Sequence, residues 1–404
     1  MKLFLLPFFL ISCSFANILQ EAIDKALPYS TIKLSNASYI GNIHINKPIS
    51  LIGNGKKVII KGDLSTSVIT INSSNVTLKN LIITDSGTRI DKINAAISIN
   101  KALHVEVDNC KLLNSLYGID LDMVSDSKFT NNYITSKNAD MNFRGNALKL
   151  YYSHNNIFKN NTIEYSKDIT LNYSNNNIFN NNTFKHNRFA SHLSISHKNK
   201  FINNTYKYNS VSIMLMGAKD TNISHNIIQS SNGAAGIGVV IGMVSNLVLE
   251  YNTLKYNAKA IYIEGLEKRK GMKRIITHNN IIYNAEAFHF HASIKDNTIT
   301  HNNIYGNIDD VVKDIQNNFS SSNIVEYNYW DRYAGFDRNQ DNIGDTPHEM
   351  YQYADQLWHY NNKIKFFYAS PIMTLMNFLS NLAPFIEPNL LLVDEKPIFK
   401  LSLK

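Results

Sequence analysis

Short runs in which apolar residues alternate with polar ones recur along the chain. Val68-Ile-Thr-Ile71, Ile119-Asp-Leu-Asp-Met123, Leu193-Ser-Ile195, Ile261-Tyr-Ile263 and Phe288-His-Phe290 are examples. A period of two turns alternate side chains to opposite faces and predicts β-strands. Between the runs stands a repeated phrase, Asn followed by two or three apolar or Thr residues. It begins at Asn80, Asn109, Asn132, Asn161, Asn182, Asn204, Asn226, Asn252, Asn280, Asn303 and Asn328. The steps are 29, 23, 29, 21, 22, 22, 26, 28, 23 and 25 residues, which is the mark of a solenoid. The unit lacks a leucine-rich pattern and a helical period of useful length. The predicted fold is therefore all-β: a right-handed parallel β-helix of about 11–12 coils. Each Asn is expected at a tight bend in αL geometry, with Asn side chains hydrogen-bonding from coil to coil.

The repeat divides the chain. Residues 1–16 carry Lys2, an apolar run Leu3 to Ile11 and small residues, an export signal too short to span a bilayer. Cleavage after Ala16 and a lipobox ending at Cys13, which would leave a lipoprotein, are both open readings. Residues 17–29 predict an amphipathic capping helix with Ile18, Leu19, Ala22, Ile23 and Ala26 on one face. Residues 30–333 form the β-helix. Residues 334–348 form an Asp/Asn-rich loop, and 349–404 a non-repeat tail. In that tail Ser370-Pro-Ile begins a helix, and Pro384, Pro388 and Pro397 keep the chain extended.

Composition adds three points. A solenoid removes the inference of two or three domains that 404 residues would otherwise suggest. The only cysteines are Cys13 and Cys110, so no internal disulfide is expected, and Cys110 reads as a buried thiol. The net charge of +8 in an exported chain points to an anionic surface or acidic partner rather than nucleic acid. Its concentrated basic element, Glu267 to Arg274, reads as a loop protruding from a long coil.

Three segments together resemble the NosD family of periplasmic maturation proteins for nitrous-oxide reductase. They are the opening Ile18-Leu-Gln-Glu-Ala-Ile23 through Lys47-Pro-Ile-Ser-Leu-Ile-Gly53, the Asn repeat, and a terminal signature. The signature runs from Tyr329-Trp-Asp-Arg-Tyr-Ala-Gly-Phe-Asp337 through Asp341-Asn-Ile-Gly-Asp-Thr-Pro-His348, followed by Phe366-Phe-Tyr-Ala-Ser-Pro371 and Val393-Asp-Glu-Lys-Pro-Ile-Phe399. The opening and the repeat are common among carbohydrate-acting β-helices; the terminal signature is the specific part. The resemblance implies a non-enzymatic periplasmic protein that helps mature the copper centres of nitrous-oxide reductase. It implies as partners an ABC transporter made of the NosF ATPase and NosY permease, a copper chaperone, and the apo-reductase.

Two groups of residues could hold metal. Asp337, Asn339, Asp341 and Asp345 place oxygen donors at positions 1, 3, 5 and 9 of a calcium-type loop, with the Ile343 carbonyl at 7. His348 stands at position 12, where a bidentate Glu would complete the shell. An Asp/Asn-rich turn capping the last coil without metal is the other reading. Copper needs softer donors. Counting back from the repeat Asn, His192 and His291 stand at twelve residues, as does Met214; Met216 stands at ten and His289 at fourteen. Their neighbours Leu193, Ile213, Leu215, Phe288 and Phe290 read as inward, so the five point outward. His192 and Met214 are predicted on adjacent coils about 5 Å apart. An ordinary exposed face carrying scattered His and Met is the alternative.

A different function class, a secreted polysaccharide lyase, hydrolase or epimerase, would need grouped carboxylates on adjacent coils. Asp120 and Asp122 form the best outward pair, expected to face Lys149 and Tyr151 and then Thr170 and Asn172. Cleavage or epimerisation of a uronate polymer would distinguish that class.

Overall fold

The computed structural model describes residues 18–233, 235–264, 273–291, 294–314, 322–352, 367, 370–382 and 389–401. Three parallel sheets run the length of a solenoid of about twelve turns. Sheet A starts at Thr31–Leu34, sheet B at Ala37–Ile40 and sheet C at Ile43–Ile45; they hold 13, 13 and 12 strands. Strands of two to six residues repeat in the order A, B, C, each pairing in parallel with its counterparts in the adjacent coils. The alternating pattern explains the shape. One residue of each pair enters the core and the next faces out, as in Thr183–Lys185, where only Phe184 is buried.

Like residues stack inside. Phe129, Phe158, Phe179 and Phe201 form a column with ring centroids 4.9, 4.5 and 5.0 Å apart. Phe184 lies on Tyr206 at 4.8 Å. Stacked aromatics add specific geometry to ordinary burial.

The Asn repeat is a buried ladder, one residue out of the expected place. From Asn132 through Asn161, Asn182, Asn204, Asn226, Asn252, Asn279, Asn302 and Asn328, each backbone N–H and side-chain Nδ2 donates to the Oδ1 of the next. The αL residue is the one before it: Asn131, Asn160, Asn181, Asn203, His225, Tyr251, His278, His301 and Tyr327 all have φ of 53° to 60°. So Asn80 and Asn109 occupy the αL column, with φ of 59° and 50°. Asn280 and Asn303 each follow a ladder Asn and begin strands. Cys110 takes the ladder position ahead of Asn132, and its N–H donates to Asn132 Oδ1 at 2.9 Å. Burial pushes its thiol up to about 12, consistent with an inert sulfur.

Both ends are closed. The helix Ile18–Lys25 buries Leu19 and Ile23, but Ile18 and Ala22 are exposed, so the capping stripe is narrower than predicted. Gln20 clamps His44 by accepting its N–H at 2.7 Å and donating to its carbonyl at 3.1 Å. At the other end the tail contributes a strand, Asn389–Asp394, which pairs antiparallel with His348–Gln352. The residues of the export signal and most of the basic loop, Glu267 to Met272, lie outside the described residues.

Two titrating groups at this C-terminal end oppose one another. Asp310, buried with one oxygen unpartnered, is pushed up to about 7 chiefly by burial. The folded state therefore holds a proton that the unfolded chain releases near pH 3.8, and stability falls as pH rises from about 4 through 7. Burial brings His348 down to about 4, so its contribution is present above pH 6.5 and is lost as pH falls toward 4. Melting curves of Asp310→Asn should show a gain of several degrees at pH 8 and none at pH 4. Equal gains at both would show that folding leaves the Asp310 pKa unshifted.

Candidate metal-handling face

The outer face of sheet C gathers the chemistry-bearing residues. Register places Asp120, Lys149, Thr170, His192, Met214, Val240, Tyr262, His289 and Val312 in one column, coil after coil. The column two residues on runs Asp122, Tyr151, Asn172, Ser194, Met216 and Gly242.

His192 and Met214 are direct partners on adjacent strands, and Met216 follows on the same face. All three are half-buried. Burial holds His192 below the ordinary histidine value, with Asp168 and Arg188 pulling in opposite directions. The neutral imidazole, the form that binds metal, is thus the resting form. Gly242 leaves a notch beside Met216. A Cβ there would meet Met216 Sδ at 2.7 Å and Glu264 Oε2 at 2.9 Å. A thioether and a carboxylate thus converge over the glycine, and no larger residue fits without moving them.

The structure separates the other two predicted copper residues. His289 shares the column of Met214, but Val240 and Tyr262 lie between them, three coils apart in all. That is about 14 Å at the usual strand spacing. His289 is on the outer face yet only 3 % exposed, because Tyr262 stacks on it at 4.9 Å and Glu286 and Asp314 close its edges. His291 remains exposed. His291 stands twelve residues before Asn303, but the column member is His289, thirteen before the ladder residue Asn302. This coil carries one more residue between strand and ladder than the coils of His192 and Met214. His289 and His291 therefore belong to a separate cluster.

Further back on the face, Asp120 meets Lys149 at 2.9 Å, and Asp122 pairs with Tyr151 as expected. Burial raises the Asp120 pKa, while Lys149 pulls it down. Beside them Arg188 grips Asp168 with Nε at 2.9 Å and Nη2 at 2.5 Å and lies on the Phe189 ring. Sequence counting missed this pair. A register shift between Asp168 and Thr170 puts one extra residue in the following strand, and the count crosses it unaware.

The family model of the periplasmic copper-binding protein NosD matches residues 131–335, just over half of the 404 residues. The chain belongs to the NosD family. No curated protein matches it. Among solved structures it is similar to the A-module of the Azotobacter vinelandii mannuronan C-5 epimerase AlgE6 (TM-score 0.61, 13% identity, 76% of this chain and 93% of that one). It is also similar to the N-terminal fragment of bacteriophage phi29 gene product 12 (TM-score 0.58, 12% identity, 73% and 67%). A third is a mannuronic acid-specific family 6 polysaccharide lyase from human gut microbiota (TM-score 0.52, 11% identity, 77% and 84%). At these identities the likeness is one of fold.

In this NosD-family chain the loop read as a calcium site uses its oxygens internally. Asp337 accepts the N–H groups of Asp341 and Asn342 at 3.2 and 3.1 Å. Asn339 and Asp341 bond each other, Asp341 Oδ1 accepts Ile343 N–H at 2.8 Å, and Asp345 accepts Arg338 N–H at 2.8 Å. His348, at position 12, turns away to pack against Trp330 and Tyr333. The loop is tied down by Asn342, which exchanges hydrogen bonds with Lys400 at 2.8 and 3.3 Å. Among the described residues, no three His, Cys, Asp or Glu side chains stand already arranged for a metal ion. Elsewhere an imidazole and a thioether stand side by side, at His192 and Met214.

Proposed function

We propose that this chain is a periplasmic accessory protein that passes copper toward the copper centres of nitrous-oxide reductase. Membership of a family described as periplasmic and copper-binding supports the cargo. The observation that carries the site is the pairing of His192 with Met214, with Met216 beside them over the Gly242 notch. Thioether and neutral imidazole donors favour Cu(I). Half-burial leaves the ion a route in and out, which suits a carrier better than a store.

In this reading the chain catalyses no covalent step. It receives copper from a periplasmic chaperone and works with an ABC transporter, the NosF ATPase and NosY permease. The 12-residue helix Pro371–Leu382 supplies a contact surface: Ile372, Leu375, Met376, Phe378 and Leu379 are all exposed. An apolar helix face open to water is a docking element for a permease or the membrane surface beside it. Export rests on residues 1–16, by cleavage after Ala16 or lipidation at Cys13.

A carbohydrate-acting reading draws on the fold neighbours and on the Asp120, Asp122, Lys149 and Tyr151 grouping. It ranks second, because Asp120 and Asp168 are each tied to a cation.

The test is complementation in a nitrous-oxide-respiring host. A strain carrying His192→Ala/Met214→Leu/Met216→Leu should accumulate the reductase polypeptide with copper content reduced several-fold. Full copper content in a strain lacking this chain altogether would overturn the proposal.

A further inference from the structure

The bend that follows sheet C carries an apolar stripe. Met123, Tyr152, Tyr173, Ile195, Gly217 and Met243 stand at the same point of six successive coils, all with φ of 40° to 65°. From Met123 through Gly217, each N–H donates to the carbonyl just before its counterpart in the next coil. Tyr173 stacks on Tyr152 at 5.1 Å, and Tyr151 meets Tyr152 edge-on at 4.7 Å. Ile195 leans over Gly217, where a Cβ would meet its Cγ1 at 3.5 Å, so the glycine leaves no break. The large residues Met123, Tyr152, Tyr173, Ile195 and Met243 are each 40–47% exposed.

Neither backbone nor solvent favours such residues here. Left-handed geometry suits Gly, Asn and Asp, and it least tolerates a β-branched side chain such as Ile195. Three residues further on, a second left-handed bend shows the ordinary solution. Asp126, Asn155, Asn176, Lys198, Asp220 and Asn246 fill it, with φ of 52° to 58°. The same coils thus use polar residues at one bend and large apolar ones at the other. Exposed apolar residues in a continuous line mark a contact surface.

The stripe's place and size select its occupant. Ile195 follows His192 by three residues, and its N–H donates to the Met216 carbonyl at 2.9 Å; Gly217 follows Met216 directly. A body seated on the stripe therefore lies against the His192, Met214 and Met216 donors. Five coil steps of about 4.8 Å make the stripe about 24 Å long and one side chain wide. That is a fraction of the about 800 Å² that each partner buries in a stable complex, so it suits the core of a transient interface rather than a permanent dimer. Acids and bases mix along the neighbouring bend, at Asp126, Lys198 and Asp220, without the basic cluster that an anionic bilayer attracts. We infer that the stripe docks a small copper-carrying protein. That protein seats its Cu(I) against His192, Met214 and Met216 and passes it by ligand exchange, with no change of oxidation state. The identity of the cargo rests on the copper reading; the contact surface stands without it.

The stripe variant Tyr152→Asn/Tyr173→Asn/Ile195→Asn would be compared with the parent, with circular dichroism to confirm its fold, since Asn fits a left-handed bend. The probe is the host's periplasmic copper chaperone. The metal-free chaperone should bind the immobilised full-length mature chain, and bind the stripe variant at least ten-fold more weakly. It should bind His192→Ala/Met214→Leu/Met216→Leu as it binds the parent. Cu(I) transfer from the loaded chaperone should slow at least ten-fold in the stripe variant, while Cu(I) offered by a chromophoric chelator is bound with the parent's affinity. A parent that takes no Cu(I) from the chelator would remove the copper reading, and the metal-free binding would still decide the surface. Chaperone binding absent from the parent, or equal in the stripe variant, would overturn the docking site. A dimer, or retention on phosphatidylglycerol vesicles, lost only in that variant would then name the occupant.

Discussion

Asn204→Ala should destabilise the middle of the solenoid by about 3–5 kcal/mol. The side chain sits at the centre of the ladder. Its Oδ1 accepts Asn182 N–H at 2.9 Å and Asn182 Nδ2 at 3.0 Å, and its Nδ2 donates to Phe179 O at 2.9 Å and Asn226 Oδ1 at 3.0 Å. Truncation leaves the Asn182 N–H and the Phe179 carbonyl buried without their partners. Each such group costs about 1–3 kcal/mol, and a small cavity adds to it. Because coils touch mainly their neighbours, the damage should stay local. Hydrogen exchange should rise in the flanking coils, roughly residues 178–229, while the terminal coils keep their protection. Unchanged exchange there would mean that the ladder records the fold without supporting it.

Asp394→Ala should cost about 4–6 kcal/mol and open the chain from its C-terminal end. Asp394 stands where one more ladder Asn would. Its Oδ2 accepts Asn328 N–H at 3.2 Å, Asn328 Nδ2 at 2.9 Å and Trp330 Nε1 at 2.8 Å, and its Oδ1 accepts Lys396 N–H at 3.1 Å. Its removal strands several donors at once, in a place where burial already raises the carboxyl pKa. Limited proteolysis should then cut first near the strand Asn389–Asp394 and the last coil. Cutting that begins in the middle of the solenoid would show that the cap is not its weakest point.

The two variants also mark what the sequence made legible. Alternation and the recurring Asn are local signals, and they were enough for the parallel β-helix coil and the pairing of His192 with Met214. The register slip has a physical cause. Asn is favoured both at the αL bend and at the ladder position after it, so Asn131-Asn132, Asn160-Asn161, Asn181-Asn182 and Asn203-Asn204 are adjacent pairs with different jobs. Counting from the wrong member, across a coil one residue longer between strand and ladder, misplaced His291. The burial of His289 depends on Tyr262 one coil earlier and Asp314 one coil later, which no local pattern signals. Asp394 closes a ladder 66 residues back along the chain, and nothing near it announces that role. The Arg188–Asp168 pair was hidden by a bulge that shifts the count within one strand.

The calcium-type spacing from Asp337 to Asp345 also serves the loop itself. Asp and Asn at alternate positions are what a cation needs, and also what a tight loop needs to hold its own N–H groups. Here Asp337, Asp341 and Asp345 do the second job, and the loop pins residues 397–400 against the last coil.

The half-buried soft donors His192, Met214 and Met216 meet at one point of sheet C. The direct measurement is a Cu(I) competition titration of the mature chain against a chromophoric Cu(I) chelator, run beside His192→Ala/Met214→Leu/Met216→Leu. The parent should bind Cu(I) with an affinity at least ten-fold tighter than the triple variant. Equal affinities would place the copper elsewhere and contradict the account.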